Sequence, residues 1–148
     1  MQIFSLKTRS ILLILMAVVF PACGNHTVTA SLQEWEITLN KNTVKSGEID
    51  FEIRNSGKDT HEIVFVKLDA DQDISSIPRA KFNTADAQWL TPRTVGELED
   101  IEPGQIKKIS LRLQPGRYLI ICNILEKEND DTMEAHFDKG MHSLLIVN

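Results

Sequence analysis

Two of the histidines, one of the cysteines and one of the methionines of this chain are candidates for binding a metal ion together. His61 opens an apolar segment, Cys122 closes another, and His136 and Met141 lie in the stretch that leads from Cys122 to the last apolar segment. Two imidazoles, a thiolate and a weak thioether suit both oxidation states of copper, because they combine soft and harder donors. These residue types predict a copper site that moves single electrons. A zinc site with the same donors is an alternative, although a neighbouring methionine favours copper.

The same residues allow two other interpretations. Cys122 could act as a nucleophile with His61 or His136 as its base, but nothing around it resembles a nucleophile elbow or an oxyanion arrangement. A thiol after an apolar run also has a raised pKa unless a metal or a cation lowers it. The residues could instead be accidental, in an adhesion or scaffolding domain without metal. Their joint arrangement with the flanking strands favours the metal site, and we expect no enzymatic activity.

Strands must position these residues, because the apolar pattern of the chain has a period of two. Ile49, Phe51 and Ile53 alternate with charged residues, which is typical of a half-buried strand. The segment His61–Leu68 is apolar at both parities, which predicts a central strand. Six or seven short strands, separated by turn signals such as Pro103-Gly104, indicate an all-β fold: an antiparallel Greek-key β-sandwich.

The segment from 69 to 96 interrupts this rhythm. Its aspartates and prolines exclude a long strand, and we expect a crossover of irregular shape. Asp73 could cap a short helix over Ile74–Ala80.

The predicted strands bring the four candidate ligands to one end of the sandwich. A strand ending at Cys122 and its successor starting near His142 share that end, and the strand that begins at His61 can start there too. His136 and Met141 lie in the connecting loop. Cys122 shares its parity with buried positions of its strand, so its side chain is expected to point toward the edge of the core.

The stretch GRYLIICN…HFDKGMHSLLIV resembles the C-terminal copper loop of the cupredoxins, which runs Cys, His, Met and then a strand. HEIVFVK resembles the strand that supplies their first histidine, and TVKSGEIDFEIRNSG resembles the strand pair before it. The likeness runs from about Trp35 to Val147 and is strongest to plastocyanin-like copper proteins of bacteria, which also show a VGELEDIEPG-like segment. It implies one copper ion, with His61, Cys122 and His136 as equatorial ligands, Met141 as axial ligand, and electron transfer between Cu(II) and Cu(I). A two-copper centre would need a second cysteine in the loop, and none is there.

The loop before His136 departs from the family pattern. Thirteen residues, 123–135, separate Cys122 from His136, where the family commonly has only a few. The insertion is acidic and is expected to be flexible, and it leaves Met133, His142 or water as other axial ligands.

The acidic side chains of this insertion could steer a basic partner to the exposed edge of His136. They are Glu126, Glu128, Asp130, Asp131 and Glu134. The expected partner is a redox protein, such as a basic cytochrome, a terminal oxidase or a reductase. A merely solvated loop is equally compatible with this composition. A rival function for the whole chain is copper storage or delivery, in which the loop opens to hand over the ion.

The N-terminus is expected to be an export signal. Lys7 and Arg9 precede an apolar run from 11 to 20 that is too short for a permanent membrane helix. Ala22-Cys23 then resembles the lipobox of bacterial lipoproteins, whose cysteine is acylated. We therefore expect a lipoprotein-type signal peptide at 1–22, a spacer at 23–33 and a cupredoxin-like domain at 34–148. The exported protein would lie in the cell envelope or periplasm, anchored to a membrane through Cys23.

Two alternatives remain at this end of the chain. Cleavage after Val28-Thr29-Ala30 would release an unanchored protein. A Cys23–Cys122 disulfide would use both cysteines of the chain, but an unpaired exported cysteine more often indicates a metal ligand or a reactive thiol.

Charge argues against a nucleic-acid partner. The chain has 16 basic and 21 acidic residues, and loss of residues 1–22 lowers its formal net charge from −5 to −7. Phosphate binding needs a basic face, so we expect no nucleic-acid binding.

Overall fold

Strands with alternating apolar residues pair into two packed sheets in the computed structural model, which describes residues 27–77, 88–128 and 133–148. The strands among these residues are β1 (Thr27–Gln33), β2 (Glu36–Leu39), β3 (Thr43–Val44), β4 (Gly47–Asn55), β5 (His61–Leu68), β6 (Thr94–Ile101), β7 (Ile106–Leu113), β8 (Gly116–Ile121), β9 (Leu125–Lys127), β10 (Met133–Ala135) and β11 (His142–Val147). Two short 3-10 helices, Ile74–Ser76 and Thr91–Arg93, lie between β5 and β6.

The first sheet has the order β2-β1-β4-β7 and the second has the order β3-β11-β8-β5-β6, while β9 and β10 form a separate hairpin. Most neighbouring strands are antiparallel, but β1 pairs with β4 and β3 pairs with β11 in parallel. The all-β sandwich predicted from the sequence is confirmed, and β5 is the internal strand that its apolar pattern predicts.

The core lies between the sheets and draws on both. Phe51 of β4 and Phe65 of β5 meet with their ring centroids 4.6 Å apart. Each large apolar side chain buried in this way contributes about 1.5–3 kcal/mol to folding. The opposite face of β5 is also covered, since Val64 and Val66 pack with Phe137 in a second apolar cluster. This second layer explains why β5 is apolar at both parities.

Strand β1 lies inside the stretch predicted as a spacer. Val28, Ala30 and Leu32 are at most 3% exposed, and Ala30 and Leu32 pair with Ile53 and Asn55 of β4. Val28, Ala30 and Leu32 alternate with Thr29, Ser31 and Gln33 as regularly as residues of the other strands, but their small and polar composition is also that of a spacer. The spacer is therefore shorter than expected, and the folded domain begins no later than Thr27 rather than at residue 34.

The segment between β5 and β6 agrees with the sequence-based prediction only in part. Asp73 accepts a hydrogen bond from the backbone N–H of Ser75 and caps the helix Ile74–Ser76. The helix is shorter than predicted, because Ile77 already has an extended backbone, and residues 78–80 lie outside the described residues. Strand β6 begins at Thr94, so its first three residues lie inside the expected crossover. It forms an edge of the sheet, and Ile101 is its one buried residue, while the others are half-buried or exposed. It therefore lacks the buried alternation that predicts a strand.

Residues 1–26, with the predicted signal peptide and Cys23, also lie outside the described residues. Within the described part of the chain, no helix is long and apolar enough to cross a bilayer.

Candidate metal centre

Three of the four candidate ligands converge at one end of the sandwich. Nδ1 of His61 lies 3.3 Å from Nδ1 of His136, and Sγ of Cys122 lies 3.3 Å from His136 Nδ1 and 3.9 Å from His61 Nδ1. All three residues are completely buried. They are the one group of histidine, cysteine and acidic side chains in the described residues whose ligand atoms all lie within 4.8 Å of one another.

The pairing of the strands explains this convergence. Strand β8 pairs antiparallel with both β5 and β11, so the start of β5, the end of β8 and the start of β11 share one end of the sheet. His61 is the first residue of β5, and Cys122 directly follows β8. His136 directly follows the hairpin strand β10, and its backbone N–H donates to Ile124 O at 2.9 Å.

The separations fit one metal ion. Metal–nitrogen bonds of about 2.0 Å and metal–sulfur bonds of about 2.3 Å place neighbouring donors about 3.3–3.8 Å apart in a trigonal or tetrahedral site. Two of the observed distances, 3.3 Å each, fall in that range, and the third, 3.9 Å between Cys122 Sγ and His61 Nδ1, is slightly above it. A carboxylate lies near the outer nitrogen of each ring, which favours a proton on Nε2 and leaves the lone pair of Nδ1 for a metal.

Met141 is tied to the same end by its backbone. Its N–H donates to His136 O at 3.0 Å, and its carbonyl accepts from the N–H of Cys122 at 3.2 Å. The tight turn before it needs Gly140, whose φ of +107° is strained for other residues. Met141 is fully buried and belongs to the same core cluster as Cys122.

The other axial ligands considered from the sequence lie in less suitable places. Met133 is 49% exposed on strand β10. His142 packs its ring against Phe137, with 5.3 Å between the ring centroids, and it is not part of the group of three.

Burial dominates the electrostatics of the thiol. It raises the pKa of Cys122 to about 11, although backbone N–H groups of Glu62 and Ile124 that point to the sulfur offset part of the effect. The N–H of Glu62 lies 3.4 Å from Sγ. Cys122 is a free thiol. Cys23, its partner in the disulfide considered from the sequence, lies outside the described residues. Burial also lowers the pKa of His61, and the nearby His136 lowers it further.

One carboxylate faces the outer nitrogen of each imidazole. Glu34 Oε1 lies 3.6 Å from His61 Nε2 and accepts the backbone N–H groups of Asp59 and Lys58, which lower the pKa of Glu34 to about 2. Glu126 Oε1 lies 3.1 Å from His136 Nε2, within ion-pair distance but off the direction of a straight hydrogen bond. Burial opposes ionisation of Glu126, yet its contacts with Lys139 and His136 outweigh burial and lower its pKa.

The insertion closes the site, and the expected exposed edge of His136 is wrong. Trp35 contacts the His136 ring edge-on at 4.6 Å between centroids, and Lys139 lies over the Trp35 ring at 4.1 Å. In the described part of the insertion, β9 and β10 pair, and Glu126 and Glu128 both bind Lys139. The expected flexible loop is thus an ordered hairpin there, because its carboxylates bind a cation that is only 14% exposed. Asp130 and Asp131 lie outside the described residues.

Sequence reasoning did not assign three residues to the site. Glu34 and Trp35 lie in the turn between β1 and β2, and no local motif marks them, because only tertiary packing brings them to His61 and His136. Asn55 is fully buried, and its side-chain amide donates to the carbonyls of Asp59 and Ile101, both at 2.7 Å. The Asn-Ser-Gly turn signal marked its position but not this role.

Known structures share this architecture, although no family model and no curated protein matches the chain. Dithionite-reduced auracyanin from the photosynthetic bacterium Roseiflexus castenholzii has a TM-score of 0.58 and 21% identity, over 83% of this chain and 97% of that one. Auracyanin A, a "blue" copper protein from Chloroflexus aurantiacus, has a TM-score of 0.54 and 17% identity, over 82% and 99%. Rusticyanin from Thiobacillus ferrooxidans has a TM-score of 0.57 and 16% identity, over 82% and 76%. The chain has the cupredoxin fold, as the sequence resemblance implies.

Proposed function

We propose that this cupredoxin-fold chain is an exported electron-transfer protein in which one copper ion cycles between Cu(II) and Cu(I). His61, Cys122 and His136 would be the equatorial ligands and Met141 the axial ligand. The observation that carries the proposal is the convergence of two imidazole nitrogens and one sulfur at metal-binding distances in a buried site. The copper proteins that share its fold support the choice of copper over zinc.

The closed surroundings of the site favour electron transfer over catalysis or copper delivery. A catalytic metal keeps a position open for substrate, whereas here His61, Cys122 and His136 are all fully buried. Delivery to another protein would require the hairpin to open and its contacts with Lys139 to break. An electron can pass through a closed shell without such an opening.

The absorption spectrum of the mature domain tests the proposal. One equivalent of Cu(II) is expected to give an intense thiolate-to-copper band that disappears on reduction and returns on reoxidation. Cys122→Ser should bind no coloured copper. A colourless copper complex of the wild-type protein would refute the electron-transfer site, and rapid copper loss to an apo-acceptor would favour storage or delivery instead.

Met141 as axial ligand can be tested against a matched methionine. Met141→Leu is expected to keep the thiolate band but to change the reduction potential, because the axial donor tunes the potential. Met133→Leu changes the same residue type at a surface position and is expected to leave the potential unchanged. Equal potentials in wild type and Met141→Leu would exclude Met141 as axial ligand.

The partner is proposed to be a redox protein, such as a basic cytochrome, a terminal oxidase or a reductase. The formal charge of −7 without residues 1–22 favours a cationic partner. Lys139 binds Glu126 and Glu128, so these carboxylates are less available for docking than the sequence indicated. Electron transfer to a cationic cytochrome that does not slow with added salt would exclude electrostatic docking.

We propose further that Cys23 carries a lipid and anchors the protein to a membrane of the cell envelope. Cleavage after Ala30 would remove half of β1, including the buried Val28, which disfavours the unanchored alternative. Strand β1 is parallel to β4 and runs toward the metal centre, so Thr27 lies at the far end of the sandwich. Its seven residues span about 20 Å, which would hold the metal centre on the side away from the membrane.

Detergent partitioning tests the anchor. Wild-type protein is expected in the detergent phase and Cys23→Ser in the aqueous phase. A wild-type protein that stays in the aqueous phase would refute lipidation.

A further inference from the structure

We propose that Glu126 is a positioning residue for His136, and that the inserted hairpin β9–β10 is a structural part of the metal centre that delivers this carboxylate. The inference rests on the proposed copper site. It gives a role to the segment that departs most from the family pattern.

The two nitrogens of His136 face different groups. Nδ1 lies 3.3 Å from both Cys122 Sγ and His61 Nδ1, on the side where a metal would bind. Nε2, at the opposite edge of the ring, lies 3.1 Å from Glu126 Oε1. A metal-bound imidazole keeps a proton on its outer nitrogen, and a carboxylate there fixes the ring orientation and makes the inner nitrogen a stronger donor. Glu126 has the distance and the charge for this role.

Glu126 is itself held in place. Its other oxygen, Oε2, accepts a hydrogen bond from Lys139 Nζ at 2.9 Å. Lys139 is 14% exposed, also binds Glu128, and lies 4.1 Å from the centre of the Trp35 ring. Trp35 also contacts the His136 ring, so His136, Glu126, Lys139 and Trp35 contact one another in a ring. The carboxylate therefore approaches His136 with little freedom to turn away.

The hairpin is what brings the carboxylate to the ring. Glu126 is the middle residue of β9 and pairs with Glu134 of β10, and His136 follows β10 directly. A short loop between Cys122 and His136 would have no strand to carry such a group. The long insertion therefore adds a contact to the site instead of loosening it.

Glu128 offers a matched control. It lies on the same hairpin, binds the same lysine and is as exposed as Glu126, with 33% for each side chain, but no contact joins it to His136 in the structure. Substitution of either glutamate by glutamine removes one negative charge near the site and one partner of Lys139. Only Glu126→Gln also weakens the contact with the imidazole.

The test compares Glu126→Gln and Glu128→Gln in the mature protein. The affinities for Co(II) and Cu(II) are measured by competition with a chelator. We expect Glu126→Gln to bind both ions about tenfold more weakly than wild type and to change the Co(II) ligand-field bands, which report the ligand geometry. If Cu(I) affinity is unchanged, a tenfold loss for Cu(II) raises the reduction potential by about 59 mV. Glu128→Gln should change the affinity less than twofold and leave the bands unchanged.

Equal effects of the two substitutions, or no effect of Glu126→Gln, would overturn the inference. The melting temperatures of the apo-proteins show whether Glu126→Gln still folds, and the isosteric glutamine is expected to keep the fold. Failure of the copper site itself has a different signature, because the wild-type protein would then lack the band that depends on Cys122. A wild-type band together with indistinguishable variants would refute the positioning role alone.

Discussion

Metal binding to this centre is expected to release one proton from Cys122 at neutral pH. Burial raises the pKa of this thiol to about 11, so at pH 7 about one molecule in ten thousand carries the thiolate that a metal needs. Four pH units correspond to about 5 kcal/mol of binding free energy that deprotonation consumes. Burial also lowers the pKa of His61, which keeps this ring neutral at pH 7 and leaves it no proton to release.

The apparent affinity should therefore rise about tenfold for each pH unit between about pH 7 and pH 10. Zn(II) is the suitable probe, because it has no redox chemistry that could oxidise the thiol. Proton release is measured with an indicator dye in weakly buffered solution, and the affinity with a competing chelator at several pH values. Cys122→Ser should release no proton over this range.

A flat affinity between pH 7 and pH 10, with no proton released on binding, would refute this reasoning. It would mean that the thiolate already exists in the apo-protein. The N–H groups of Glu62 and Ile124 would then outweigh the burial of Cys122, contrary to the surroundings of the sulfur.

Three substitutions test the fold and its charges by thermal unfolding of the apo-protein. Leu32→Ala in β1 is expected to cost about 2–5 kcal/mol and to lower Tm by about 8–20 °C, because this side chain is fully buried. The exposed Gln33→Ala should change Tm little, and similar Tm values for both variants would mean that these residues form a spacer and not a core strand. Asn55→Ala should cost about 2 kcal/mol, since it leaves a buried carbonyl of Ile101 without its donor, and a loss below about 0.5 kcal/mol would contradict that role. Burial raises the pKa of Glu62, so the folded state binds its proton more tightly than the unfolded state and stability falls as pH rises through that range. Glu62→Gln should thus have a higher Tm than wild type at pH 7 and the same Tm near pH 4, and a lower Tm at pH 7 would contradict this sign.

Local patterns predicted most of the strands and the identity of the donors. Alternation along β4 and the two-sided apolar character of β5 depend only on which neighbours are buried, so they can be seen within a few residues. The order of Cys122, His136 and Met141 before a final strand is equally local, and it led to the cupredoxin fold that the structures share. Turn signals between the strands predicted that these donors meet at one end.

The tertiary structure decided what surrounds the donors and where the domain begins. Strand β1 pairs with β4 about twenty residues further along the chain. Its small and polar composition is compatible with a spacer as well as with a strand, and the pairing with β4 decides between them. Glu34 and Trp35 reach His61 and His136 from this first hairpin, across roughly a hundred residues of sequence in the case of Trp35. Charge alone does not show whether an acidic insertion is solvated or closed. The position of Lys139 between the insertion and Trp35 decides it, because this largely shielded cation binds carboxylates that water would otherwise solvate.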